Sequence, residues 1–158
     1  MSGLMPYVDV CIANEEDAAD VFGITAKNTD VTSGKLDKEG YISVAEQLKE
    51  RFDLKKVAIT LRTSISASVN EWAALLYDGE AHFSNQYRIQ IVDRVGGGDS
   101  FGGALIYSLM TGKNAQDAVE FAVAASCLKH TIEGDFNLVS VKEIESLAGG
   151  NASGRVQR

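Results

Sequence analysis

The chain has 158 residues, 45% of them apolar, with 15 Lys plus Arg against 22 Asp plus Glu and a formal charge of −7. These values fit one folded domain or a large piece of one, and they exclude a disordered or fibrous chain. So acidic a balance also argues against a surface that neutralises nucleic-acid phosphates or anionic lipid, and any phosphate chemistry must sit in a local pocket.

In chain order, Met1 to Val10 lacks the basic region and apolar stretch of a signal peptide, and no apolar run nears the roughly 18 to 20 residues of a membrane span. A cytoplasmic protein is expected. Val8 to Ala13 has the brevity of a buried strand, and Asn14, with Asp17 three residues on, predicts a helix cap leading into Ala18 to Phe22. Thr25 to Gly40 reads as a loop. Ile42, Ala45, Leu48 and Phe52 then recur at helical spacing, and Val57 to Leu61 is a second β-rich run. Trp72 to Tyr77 and Ala81 to Phe83 flank Asp78-Gly79, a hairpin signal, and Arg88 to Val92 alternates as a further strand. After a glycine cluster, Phe101, Leu105, Ser108 and Leu109 share one helical face, which Thr111-Gly112 ends. An alanine-rich helix runs from about Ala115 to Lys129, and Ser140 with Glu143 forms a capping box for a last helix to Leu147. The tail after it reads as mobile. Cys11 and Cys127 show no metal-ligand spacing and sit among apolar neighbours, as buried reduced thiols do. The predicted fold is α/β, a mainly parallel sheet flanked by helices with one antiparallel hairpin.

The chemistry concentrates in Ile91-Val92-Asp93-Arg94-Val95-Gly96-Gly97-Gly98-Asp99-Ser100-Phe101. Glycines between a strand and a helix let successive N–H groups converge, and the helix start adds free donors and partial positive charge, which together describe an anion hole at Gly96, Gly97 and Gly98. The dinucleotide fingerprint would need glycine at position 101, where Phe101 stands, and no Gly-x4-Gly-Lys-Ser/Thr exists. A carboxylate beside an anion hole would repel a static phosphate. Asp99 therefore has two readings: it accepts the proton of a hydroxyl attacking a phosphoryl group, or it merely stabilises the helix start.

Asp93 to Phe101, followed by Gly103, resembles the C-terminal motif of the ribokinase-like (pfkB) sugar kinases, Asp-Thr-x-Gly-Ala-Gly-Asp-x-Phe. Thr60-Leu61-Arg62, Gly134-Asp135-Phe136-Asn137 and Ser153 to Arg158 are further similar to the members that phosphorylate 2-keto-3-deoxygluconate. The resemblance implies ATP and Mg²⁺ as cofactors, a small sugar acid as substrate, phosphorylation at its C6 hydroxyl, Asp99 as catalytic base, and Gly96 to Gly98 as the anion hole. It implies nucleotide contacts from Thr60, Arg62, Ser64, Ser66, Val123 and Ser126, with Arg62 standing where relatives carry glycine. Asn14 and Asp17 match an Asn-x-x-Glu element that organises magnesium through water, Asp17 being one methylene shorter than the usual glutamate. Asp93 with the loop from His130 to Asn137 corresponds to a monovalent-cation site in some members, His130 itself reading as structural.

On the same resemblance, residues 1–148 are the nucleotide-binding and catalytic-base part of a ribokinase-like domain and 149–158 a flexible tail. The sugar-binding lid of the N-terminal half is expected to be absent, leaving the chain inactive alone and prone to self-association through its exposed sheet. The alternative from another class is a catalytically silent module that binds nucleotide or assembles with a partner.

Overall fold

Pro6, with its fixed φ and missing N–H, sets a short 3-10 turn at Met5–Tyr7 in the computed structural model, so the first strand begins at Val10 rather than Val8. The structure describes residues 1–26 and 38–150. They cluster into two compact units, one made of Met1–Leu61 and Ala74–Phe83, the other of Arg62–Ala73 and Ser84–Arg158. The elements are β1 (Val10–Ala13), α1 (Glu15–Phe22), α2 (Lys38–Phe52), β2 (Lys56–Ser64), β3 (Val69–Tyr77), β4 (Ala81–Phe83), β5 (Tyr87–Gln90), α3 (Gly97–Met110), α4 (Ala115–Lys129) and α5 (Val141–Ala148). The strand order is β1-β2-β3-β4, with β5 also on β3.

In the first unit β1 pairs in parallel with β2, Val10 opposite Lys56 and Ala13 opposite Ile59. Val57, Ala58 and Ile59 of β2 and Ala74, Leu75 and Leu76 of β3 are all buried. Such continuous apolar runs are what strands covered on both faces require. The expected hairpin forms, Leu75 opposite Phe83 and Tyr77 opposite Ala81. α1 opens on the predicted capping box: Asn14 Oδ1 accepts from the Asp17 N–H at 2.7 Å, and Asp17 Oδ2 accepts from the Asn14 N–H at 3.0 Å. α2 buries Val44, Ala45 and Leu48, places Lys49 and Arg51 at its negative end, and is tied to α1 by Arg51 Nη1, which donates to the Phe22 carbonyl at 2.7 Å. The Phe22 and Phe52 rings close that corner, with centroids 4.9 Å apart.

In the second unit the start of β3 pairs antiparallel with β5, Val69 opposite Gln90 and Trp72 opposite Tyr87. β5 stops short of the predicted Val92 because the N–H groups of Val92 and Asp93 both donate to the His130 carbonyl, at 2.8 and 3.3 Å, drawing the chain towards the end of α4. α4 packs against both α3 and α5. Ala118, Val119 and every residue from Phe121 to Cys127 are buried. Its alanines allow backbones to approach on more than one side, and Phe121, Ala124 and Ala125 share a core cluster with Ile144 of α5. α5 opens on the Ser140–Glu143 capping box.

The α/β class stands, but the sheet is mixed: β1–β2 is parallel, whereas β3 pairs antiparallel with both β4 and β5. Short connections such as Asp78-Gly79 can join only antiparallel neighbours. Of the loop predicted at Thr25 to Gly40, residues 38–40 belong to α2 and 27–37 lie outside the described residues, as do 151–158 of the predicted tail. No helix among the described residues is long and apolar enough to cross a membrane. Both cysteines are free thiols, Cys127 buried and Cys11 half-buried, and burial pushes both thiols up. Replacing Asn14 by Ala is expected to cost about 1 kcal/mol through the lost cap. Phe101→Ala, which empties a fully buried site, should cost about 3–5 kcal/mol. Urea unfolding of the two variants beside the parent checks both values.

Candidate active site

All of the glycine turn and its surroundings belong to the second unit. Asp93 folds back on the turn: one carboxylate oxygen accepts from the Val95 N–H at 3.0 Å and the other from the Gly134 N–H at 2.9 Å. The Val95 N–H, then the Gly134 N–H, hold the Asp93 carboxyl below its ordinary value. Gly96 caps α3 with φ +78, and a Cβ there would collide with the Asp135 carbonyl oxygen. Gly97 is pressed from behind by His130, whose Cε1 would lie 2.5 Å from an added Cβ. Gly98 faces open space, with nothing within 4 Å of where its Cβ would stand. The three glycines thus have three causes: left-handed backbone, close packing, and a surface left clear for a ligand.

α3 starts in the midst of this turn. Ser100 N–H donates to the Gly96 carbonyl at 2.9 Å, while the N–H groups of Gly98 and Asp99 have no partner among the described residues. They are the free donors that a helix start presents to an anion. Asp99 stands in the first turn, exposed, its carboxylate without hydrogen-bond or ion-pair partner among the described residues. Beside it a cleft of about 390 Å³ is lined by Gly96, Asp99 and Gly103, with Tyr107, Phe121 and Phe136 giving it apolar walls. A carboxylate without a partner among the described residues, next to unpaired N–H groups and an apolar slot, is equipped for hydroxyl activation beside a bound phosphate.

The support is a hydrogen-bonded backing. His130 Nδ1 meets the Ser126 carbonyl at 2.7 Å, so that nitrogen carries the proton and Nε2 is left as the acceptor. The ring lies against Trp72, with centroids 5.1 Å apart, and burial lowers its pKa below the ordinary value. Ser126 Oγ donates to the Gly97 carbonyl at 2.9 Å. Asn137 Nδ2 donates to Ser100 Oγ and to the Ala125 carbonyl, fastening the Gly134–Asn137 segment across α3 and α4. Arg94 Nη2 donates to the Ala67 carbonyl at 2.7 Å, tying the β2–β3 turn to the glycine turn.

The structure brings Gly96, Gly97, Gly98, Asp99 and Ser126 together in the second unit. Val123 and Ser126 are completely buried, however, leaving no surface for direct contact with a nucleotide; Ser126 acts by holding Gly97. Arg62, Ser64 and Ser66 are exposed on the β2–β3 segment, where Ser66 Oγ accepts from the Val69 N–H at 3.1 Å and shapes the turn. Thr60, Asn14 and Asp17 belong to the first unit; Thr60 is half-buried in β2, and Asn14 and Asp17 are engaged in capping α1. Sequence reasoning missed the Arg94 tie, the Asn137 clasp and a buried lysine, Lys129. Only the departure of Arg94 from the motif's usual threonine could have flagged the first.

The sequence matches the pfkB family of carbohydrate kinases over residues 1–140, and the chain belongs to that family. It is similar to the 2-dehydro-3-deoxygluconokinase of Thermotoga maritima, with 52% identity, a TM-score of 0.88, and coverage of 95% of this chain and 44% of that one. A pfkB carbohydrate kinase from Listeria grayi is 34% identical with a TM-score of 0.79, over 94% of this chain and 43% of the other. The 2-dehydro-3-deoxygalactonokinase of Haloferax volcanii is 29% identical over 150 residues, 94% of this chain and 41% of the relative. The chain thus spans well under half the length of the relatives it matches.

Two outcomes follow from the backing. Gly97→Ala should destabilise the fold by about 1–3 kcal/mol through overpacking against His130, while Gly98→Ala, at an open position, should leave the thermal midpoint near that of the parent. Differential scanning fluorimetry separates them. His130 has a depressed folded pKa, so its contribution is complete above the ordinary value of 6.5 and is lost as pH falls through the folded value. Unfolding free energy should therefore decline on acidification below pH 6.5. His130→Asn, whose amide can replace the Nδ1 donor, should flatten that decline in urea titrations.

Proposed function

We propose that this chain is the nucleotide-binding and catalytic-base part of an ATP-dependent kinase that phosphorylates 2-dehydro-3-deoxy-D-gluconate at its C6 hydroxyl. The observation that carries the reading is the Asp99 carboxylate in the first turn of α3, which, like the N–H groups of Gly98 and Asp99, has no partner among the described residues. Asp99 accepts the hydroxyl proton, the sugar oxygen forms its bond to the γ-phosphorus, the bond to ADP breaks, and the turn stabilises charge on the transferring group. The 52% identity to the Thermotoga gluconokinase supports the gluconate sugar over its galactonate epimer.

ATP is assigned to the turn, with Arg62, Ser64 and Ser66 on the β2–β3 segment offering charge and hydroxyls and Thr60 preceding them. A ribokinase-II-like protein of E. coli with the same fold, 21% identical with a TM-score of 0.66, has been solved with ATP and Mg²⁺. In this chain Asn14 and Asp17 would hold magnesium through water, and the Asp17 oxygen not engaged in the cap is the group available for it. When bound, the ion neutralises phosphate charge. Walls for the sugar are not assigned to these residues; the chain alone is proposed to bind nucleotide and to turn over only together with such walls. Exposed apolar side chains such as Met110 and Leu138 support self-association as part of the same reading.

Calorimetric titration with ATP tests nucleotide binding by the chain itself. Asp99→Asn should bind ATP as well as the parent or slightly better, having lost a negative charge beside the phosphates. Gly98→Ala should bind it more weakly, its methyl occupying the cleared surface. Where the sugar walls are present, Asp99→Asn should lower kcat by roughly 10²–10⁴; a folded Asp99→Asn enzyme with ordinary kcat removes Asp99 from catalysis.

A further inference from the structure

Lys129, the last residue of α4, has no exposed surface. Its ammonium donates to the Ile132 carbonyl at 3.0 Å, and its Cε stands 3.2 Å from where a Cβ on Gly96 would be. An ammonium loses much hydration on burial and persists where fixed oxygens and negative charge compensate it. Here the compensation comes from the 131–135 loop and from Asp93, whose carboxyl Lys129 helps to hold in its charged form.

The family resemblance implies a monovalent cation held by Asp93 and the loop from His130 to Asn137, and the residues present do not fit one. Both carboxylate oxygens of Asp93 already accept backbone N–H groups, from Val95 and Gly134. The His130 carbonyl accepts two more, from Val92 and Asp93, and the Ile132 carbonyl is taken by Lys129 itself. A bare cation needs several uncommitted oxygens, and here both Asp93 oxygens and the His130 and Ile132 carbonyls are already engaged and a positive charge is in place.

We propose that Lys129 is the resident cation of this site: its ammonium pins the 131–135 loop behind the glycine turn, adds positive charge behind the anion hole, and frees nucleotide binding from any need for K⁺ or Na⁺. Lys129 is thus a positioning residue, and its effect on ATP rests on the nucleotide-binding reading above. The test uses the full chain in tetramethylammonium, sodium and potassium chloride at equal ionic strength, reading ATP affinity by calorimetry and the thermal midpoint without ATP. The parent should show the same midpoint in all three salts and affinities within about twofold, since an ion that binds only the folded state would raise the midpoint. Lys129→Ala, which removes the charge and opens space beside the Ile132 carbonyl, should bind ATP about tenfold more weakly, with potassium raising its midpoint. A parent whose midpoint or ATP affinity rises specifically with potassium overturns the proposal, as does a Lys129→Ala chain that binds ATP like the parent. If that variant does not fold, the parent's salt series decides alone. If the parent binds no ATP in any salt, the nucleotide reading fails while the midpoint series still decides the cation question.

Discussion

The close approach of the chain to Gly96 and Gly97 from behind is the constraint on which the candidate site depends. The Asp135 carbonyl lies where a side chain at Gly96 would be, and the His130 ring lies where one at Gly97 would be. These two contacts fill the back of the turn, while Gly98 faces open space and Asp99 lines the cleft. A turn that a bulkier residue forced apart would lose its donors and its support together.

Around that contact the second unit is organised as mutual restraint. Asp93 grips Val95 and Gly134, Asn137 crosses to Ser100 and Ala125, Ser126 holds Gly97, and Arg94 secures the β2–β3 turn. Few of these residues would touch a ligand. They remove the conformational freedom that a glycine-rich turn would otherwise keep, so that binding an anion costs little further ordering. The alanine-rich α4 makes this possible, since its small side chains let α3 and α5 pack closely upon it.

Charge is distributed with the same economy. Among the described residues Asp99 has no partner, while Lys129 packs against Gly96 and backbone donors hold the Asp93 carboxyl below its ordinary value. Burial lowers the pKa of His130 and favours its neutral form, beside the fixed charges of Lys129, Arg94 and Arg62. In a chain whose net charge is −7, the proposed phosphate chemistry would rest on a local arrangement of this kind.

By itself the sequence determined the elements whose signals are local. Asn14 with Asp17 and Ser140 with Glu143 announce their helices because a capping box is closed within four residues, and Asp78-Gly79 announces its hairpin because the turn is. The glycines and Asp99 were legible as a candidate anion hole with a carboxylate beside it, because strand, turn and helix start follow one another directly in the chain. Tertiary structure alone decided what depends on residues distant in sequence: the mixed sheet, the burial of Val123 and Ser126, the Arg94 tie to Ala67 across 27 positions, and the Gly134 N–H reaching Asp93 across 41. Lys129 shows the division most clearly. The sequence places it only at the end of the alanine-rich helix, and its burial, with the ammonium on the Ile132 carbonyl and the stem against Gly96, is encoded by no short-range spacing.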